Sequence, residues 1–121
     1  MYLFADEIYA DFREDDYPNS VGFRDNRADY CLILSRFSDM EPDDGTVEVL
    51  VRDQIHTKTA TLVVELKRSE FRIRLDEDAA SKLLGVGQYT VDFKTDDQTF
   101  RRMVHLLRVI FEGLPGLTIS E

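Results

Sequence analysis

The residues able to do chemistry fall in a few short stretches. "SDMEPDDG" (38–45) sets Asp39, Glu41 and Asp43 at alternate positions, the spacing with which a calcium loop opens. Such a loop needs glycine at its sixth place and glutamate at its twelfth, and here those places hold Asp44 and Leu50. No helical periodicity flanks it, so a solvated acidic connection is the better reading. Cys31, His56 and His105 lack the short-range pairing that zinc requires. His105 falls on the polar side of a helix beside Arg101, Arg102 and Arg108, and His56 sits in "DQIHTKT", a polar link between strands. Neither has a nucleophile at recognisable spacing, and Cys31 lies among apolar neighbours that leave its thiol inert. "GVG" (85–87) precedes a strand instead of opening a helix, the wrong order for cradling a phosphate. With 24 Asp and Glu in the chain, close carboxylate pairs arise by chance, and nothing selects two as acid and base. The expectation is no enzyme, with no catalytic, cofactor-binding or metal site.

What remains is acid gathered in two segments. "FREDDYPNSVGF" (12–23) runs Glu14, Asp15 and Asp16 together between Phe12 and Tyr17. Either both segments are merely solvated loops, or they are a surface for a basic partner. In the second reading the contact residues are Asp11, Glu14, Asp15, Asp16 and Tyr17, followed by Asp39, Glu41, Asp43 and Asp44. Carboxylates on a rigid scaffold speed encounter by electrostatic steering, and adjacent aromatics supply affinity.

The composition agrees with a binding role and excludes others. A formal net charge of −9 opposes nucleic acid and anionic membrane as partners, since both need a basic face. The chain of 121 residues, 43% apolar with eight Phe and five Tyr, has material for one real core. A single cysteine cannot form an internal disulfide. "MYLFADEIYADF" has no basic region, and Asp6 and Glu7 interrupt its apolar start, so it reads as neither signal nor anchor. The expected location is the cytoplasm.

The elements that must carry these segments follow from periodicity. Alternation predicts strands with Tyr30, Leu32 and Leu34, then Val47, Val49 and Val51, then Ala60, Leu62, Val64 and Leu66, then Phe71, Ile73 and Leu75 inward. "KRSE" (67–70) reads as a hairpin turn. Asp76, Glu77 and Asp78 open a short helix that stops at Gly85. "QYTVDFK" is a strand, and "TDDQ" a capping box with Thr95 as cap. Phe100, Met103, Val104, Leu107, Ile110, Phe111 and Leu114 then form the apolar stripe of a helix. The expected fold is one α+β domain over 1–121. It would hold a single antiparallel sheet of about six strands, a short helix, and a long C-terminal amphipathic helix packed on one face. Outer-face Ile33, Leu50 and Val63 are unusually apolar for a wet side. They leave room for a non-enzymatic adaptor, or for a homodimer through that face or a strand edge.

In order and spacing, "SVGFRDNRADYCLILSRF", "VEVLVRDQIHTKTATLVVEL", "RIRLDEDAASKL" and "YTVDFKTDDQTFRRMVHLLRVIF" resemble immunity protein family ten of bacterial polymorphic toxin systems. The likeness runs from about Ser20 to Phe111. "CLILSR" and "QIHTKTATL" depart from the family's pattern. The resemblance implies a protein without enzymatic activity or cofactor that binds and blocks the C-terminal domain of one cognate toxin. A basic toxin surface would suit a nuclease.

Overall fold

The computed structural model describes residues 1–11, 19–36, 45–52 and 54–120, the side chain of Asp11 excepted. Among these residues ten strands and two helices follow one another as β1 (Tyr2–Phe4), β2 (Glu7–Asp11), β3 (Asn19–Asp25), β4 (Tyr30–Arg36), β5 (Val47–Val51), β6 (Ile55–Thr59), β7 (Val63–Leu66), β8 (Glu70–Arg74), α1 (Glu77–Lys82), β9 (Gln88–Asp92), α2 (Asp97–Ile110) and β10 (Leu117–Ile119). They build two five-stranded sheets. One is an antiparallel meander in the order β2-β3-β4-β5-β6; the other is mixed, β1-β9-β8-β7-β10, with β1 and β10 joined in parallel to its antiparallel centre.

This corrects the expectation of a single sheet of about six strands under a long C-terminal helix. Alternation reveals that each strand has one buried face, but not which strands share that face. Nor is α2 long or last: it has 14 residues, lies against β2, β3, β4 and β10, and is followed by β10. Its cap is Asp96, whose side chain accepts from Thr99 N–H, and not Thr95. The link containing His56 is itself a strand, β6. Its outward His56 and Lys58 and inward Thr57 and Thr59 are all polar, so no hydrophobic alternation marks it.

Register defines the two inner faces. Val21, Phe23, Leu32, Leu34, Val47, Val49 and Val51 of the meander point inward and are essentially sealed. They meet Leu3, Val64, Leu66, Phe71, Ile73, Tyr89 and Val91 of the mixed sheet in one hydrophobic cluster. Phe23 packs at 4.8 Å from Phe71 and 5.8 Å from Phe93, contacts worth about 0.5–1.5 kcal/mol each beyond area burial. Tyr30 and Tyr89 share a buried hydroxyl hydrogen bond of 2.7 Å, which satisfies two polar groups that would otherwise oppose folding. Touching β10 as well as the meander, α2 fills one flank with Phe100, Met103, Val104, Leu106, Leu107 and Ile110, while α1 packs on β6 at the other. Gly116 permits the turn into β10: a Cβ there would meet the Leu62 carbonyl oxygen at 2.1 Å.

Candidate binding surfaces

The acidic contact residues read from the sequence lie almost wholly outside the described part of the chain. Asp11 ends β2, but its side chain, and Glu14, Asp15, Asp16, Tyr17, Asp39, Glu41, Asp43 and Asp44, fall beyond it. The residues that flank those segments are described. β2 pairs with β3 through Asp11 and Ser20, and β3 with β4 through Asn19 and Arg36. β4 pairs in turn with β5 down to Ser35 and Glu48. Both acidic segments therefore connect strands at one and the same end of the meander.

That end is firmly built. The Ser20 and Ser35 hydroxyls bond at 2.8 Å. Arg36 is inward and buried, and its Nη1 donates to the Ile110 carbonyl at 3.1 Å and to the Glu112 carbonyl. A guanidinium suits this place because the last turn of a helix carries partial negative charge and carbonyls without helical partners. Beside it Asn19 is only 7% exposed, and its Oδ1 has no hydrogen-bond partner among the described residues.

Two other carboxylates hold the fold, Asp25 at the opposite end of the meander and Asp76 beside Thr59, at the same end as the acidic segments. Asp25 accepts from the backbone N–H groups of Phe4, Arg27 and Ala28, and the Phe4 bond foremost holds its pKa below the ordinary carboxylate value. Asp76 caps α1 by accepting from Ala79 N–H, and also takes the Thr59 and Thr61 hydroxyls at 2.6 Å each. Those bonds, Thr59 first, bring its pKa to about 2. Both carboxylates are structural, with their acceptor positions directed at the protein's own donors.

The histidines and the thiol are not brought together. His56 is exposed on the outer side of β6, His105 on the wet side of α2, and Cys31 is buried in β4. Among the described residues no group of three or more His, Cys, Asp or Glu is placed to hold a metal ion. A shallow depression of about 370 Å³ lies between α2 and β10, lined by Arg108, Phe111, Leu114, Leu117 and Ile119. Another of about 280 Å³ is lined by Phe4, Asp6, Asp25 and Arg27.

The outer apolar residues divide between the sheets. Ile33 and Leu50 are register partners on the outer face of the meander, whereas Val63 stands on the outer face of the mixed sheet. Sequence reasoning missed that Tyr9 and Gly22 continue the Ile33–Leu50 row, because the alternating sets it assigned began at Tyr30. No known family, curated protein or solved structure matches the chain.

Proposed function

We propose that the protein is an immunity protein that binds the C-terminal domain of one cognate bacterial toxin in the cytoplasm and neutralises it by occlusion. The observation that carries the reading is the placement of two acidic segments at one end of a single rigid sheet, in a chain of net charge −9. The ordered sequence pieces quoted above support it. Joined to adjacent strands, the segments act together, so their charges add as a single field toward a basic surface. Asp11, Glu14, Asp15, Asp16 and Tyr17 supply the first contacts and Asp39, Glu41, Asp43 and Asp44 the second. A nuclease, whose substrate is itself polyanionic, is the kind of toxin such a surface fits. The scaffold contributes shape and stiffness, and affinity comes without a chemical step.

Co-expression with the variable C-terminal domain of a large secreted protein encoded immediately upstream tests this. Restored growth is the expected result. Unrelieved toxicity, or the lack of such a reading frame, overturns it.

A further inference from the structure

The outer face of the meander carries three cross-strand rows. The middle row runs Tyr9, Gly22, Ile33, Leu50, His56. Above it lie Glu7, Arg24 and Cys31, and below it Ser20, Ser35, Glu48 and Lys58, after Asp11. Neither helix covers this side: Arg36, which caps α2, belongs to the inner set, and Tyr9, Ile33 and Leu50 remain half-exposed. Ile33 leans across its neighbour, since a Cβ on Gly22 would come within 2.8 Å of Ile33 Cγ1. The face thus has an apolar ridge, a floor of small side chains (Gly22, Cys31, Ser20, Ser35) and a charged rim. That is the anatomy of a protein interface.

Charges of both signs stand on it: Glu7 and Glu48 with Arg24 and Lys58 among the described side chains, Arg24 also pairing with Asp29 at 2.8 Å. The arrangement has opposite signs across Ile33. Glu7 stands two strands to one side and a row up, Lys58 two strands to the other side and a row down. Arg24 and Glu48 stand one strand out in the same two senses. With strands about 4.8 Å apart and successive outward residues about 7 Å apart, both lines through Ile33 run close to the diagonal of the sheet.

We propose that this face binds a second copy of the same chain. A two-fold axis lying in the interface, through Ile33 and across that diagonal, sets Glu7 of each copy against Lys58 of the other and Arg24 against Glu48. The two sheets then cross near a right angle, one of the two packings that face-to-face sheets adopt. The same rotation lays Tyr9 over the small floor at Ser35 and Leu50 over Cys31, so large side chains meet small ones. Every contact occurs twice, as an isologous pair requires. The face adjoins the end that bears the acidic segments, sharing Asp11, Ser20, Ser35 and Glu48 with it, and the pairing is read from mass alone, so it stands whether or not the inhibitor reading does.

Sedimentation equilibrium and light scattering of the purified full chain decide it. The expected mass at high concentration is twice the 14.0 kDa of one chain. Ile33→Asp should give a monomer with an unchanged circular dichroism spectrum. Glu7→Lys alone, and Lys58→Glu alone, should each weaken pairing about 30-fold, because one reversal is felt at two symmetry-related sites. The double variant Glu7→Lys/Lys58→Glu should return to within about three-fold of the original. A wild-type chain that stays monomeric at millimolar concentration overturns the proposal and leaves the face to a partner of other sequence. A dimer that ignores both single reversals, or that the double variant fails to restore, overturns it equally.

Discussion

Replacing Asp76 with asparagine separates charge from shape at the joint between α1 and the β6–β7 connection. Oδ2 takes the Thr59 and Thr61 hydroxyls at 2.6 Å each, and Oδ1 takes Ala79 N–H at 2.8 Å. The folded pKa of about 2, against an ordinary 3.8, corresponds to about 2.4 kcal/mol at 1.36 kcal/mol per pH unit. Water screens the half-buried carboxylate, so about 1 kcal/mol is the expected stability. Because the folded pKa lies below the unfolded one, this contribution is complete above about pH 4 and lost as pH falls toward 2. Asparagine can still cap the helix. Asp76→Asn should therefore cost about 1 kcal/mol at pH 7, a fall of about 4 °C in Tm, and close to nothing at pH 2. Asp76→Ala also removes the cap, and should cost about 2 kcal/mol at pH 7 and about 1 at pH 2. Urea unfolding followed by circular dichroism at pH 7, 4 and 2 gives the comparison. An Asn variant separated from wild type by the same gap at pH 7 and pH 2 would refute the electrostatic account.

Three further predictions address the core and the binding end. Tyr89→Phe leaves the Tyr30 hydroxyl buried without its 2.7 Å partner and should cost about 1–3 kcal/mol, as should Tyr30→Phe. The double phenylalanine variant should cost clearly less than the sum of the two, measured by urea unfolding; strict additivity would show the hydroxyls are not coupled. Burial raises the Tyr89 pKa, so wild type should also lose stability as pH climbs beyond about 10, where the unfolded chain ionises first. Converting Glu14, Asp15 and Asp16 to Asn or Gln should slow association with the toxin domain about ten-fold or more in low salt and flatten its salt dependence. Stopped-flow rates that match wild type would remove those carboxylates from the encounter.

How much of this was legible in the sequence depended on whether a pattern was local. The inward sets Val47-Val49-Val51, Phe71-Ile73 and Tyr89-Val91 follow from alternation alone, because burial of one strand face imposes period two. The turn at 67–70 and the helix after Asp76 were equally local, one set by chain reversal and the other by a capping carboxylate. The division into two sheets was not legible, since β1 finds β9 and β10 finds β7 by long-range parallel pairing that leaves no short-range mark. β6 escaped because Thr57 and Thr59 are buried while polar. The acidic segments were visible as composition, but their shared end emerged only from the β2-β3-β4-β5 order. The outer row stayed hidden for the same reason: Tyr9 and Leu50 are 41 positions apart and meet only through the intervening strands.

The two sheets also differ in when they can exist. The meander draws on consecutive strands between Glu7 and Thr59, whereas the mixed sheet needs Tyr2–Phe4 beside Gln88–Asp92 and ends with Leu117–Ile119. On a translating ribosome the first sheet can close while half the chain is unmade, its valines and leucines bare to water. Until the closing strands arrive, the nascent chain exposes an adhesive surface of the kind chaperones hold. Slow synthesis past Thr59 is thus the interval in which this molecule is most prone to clump.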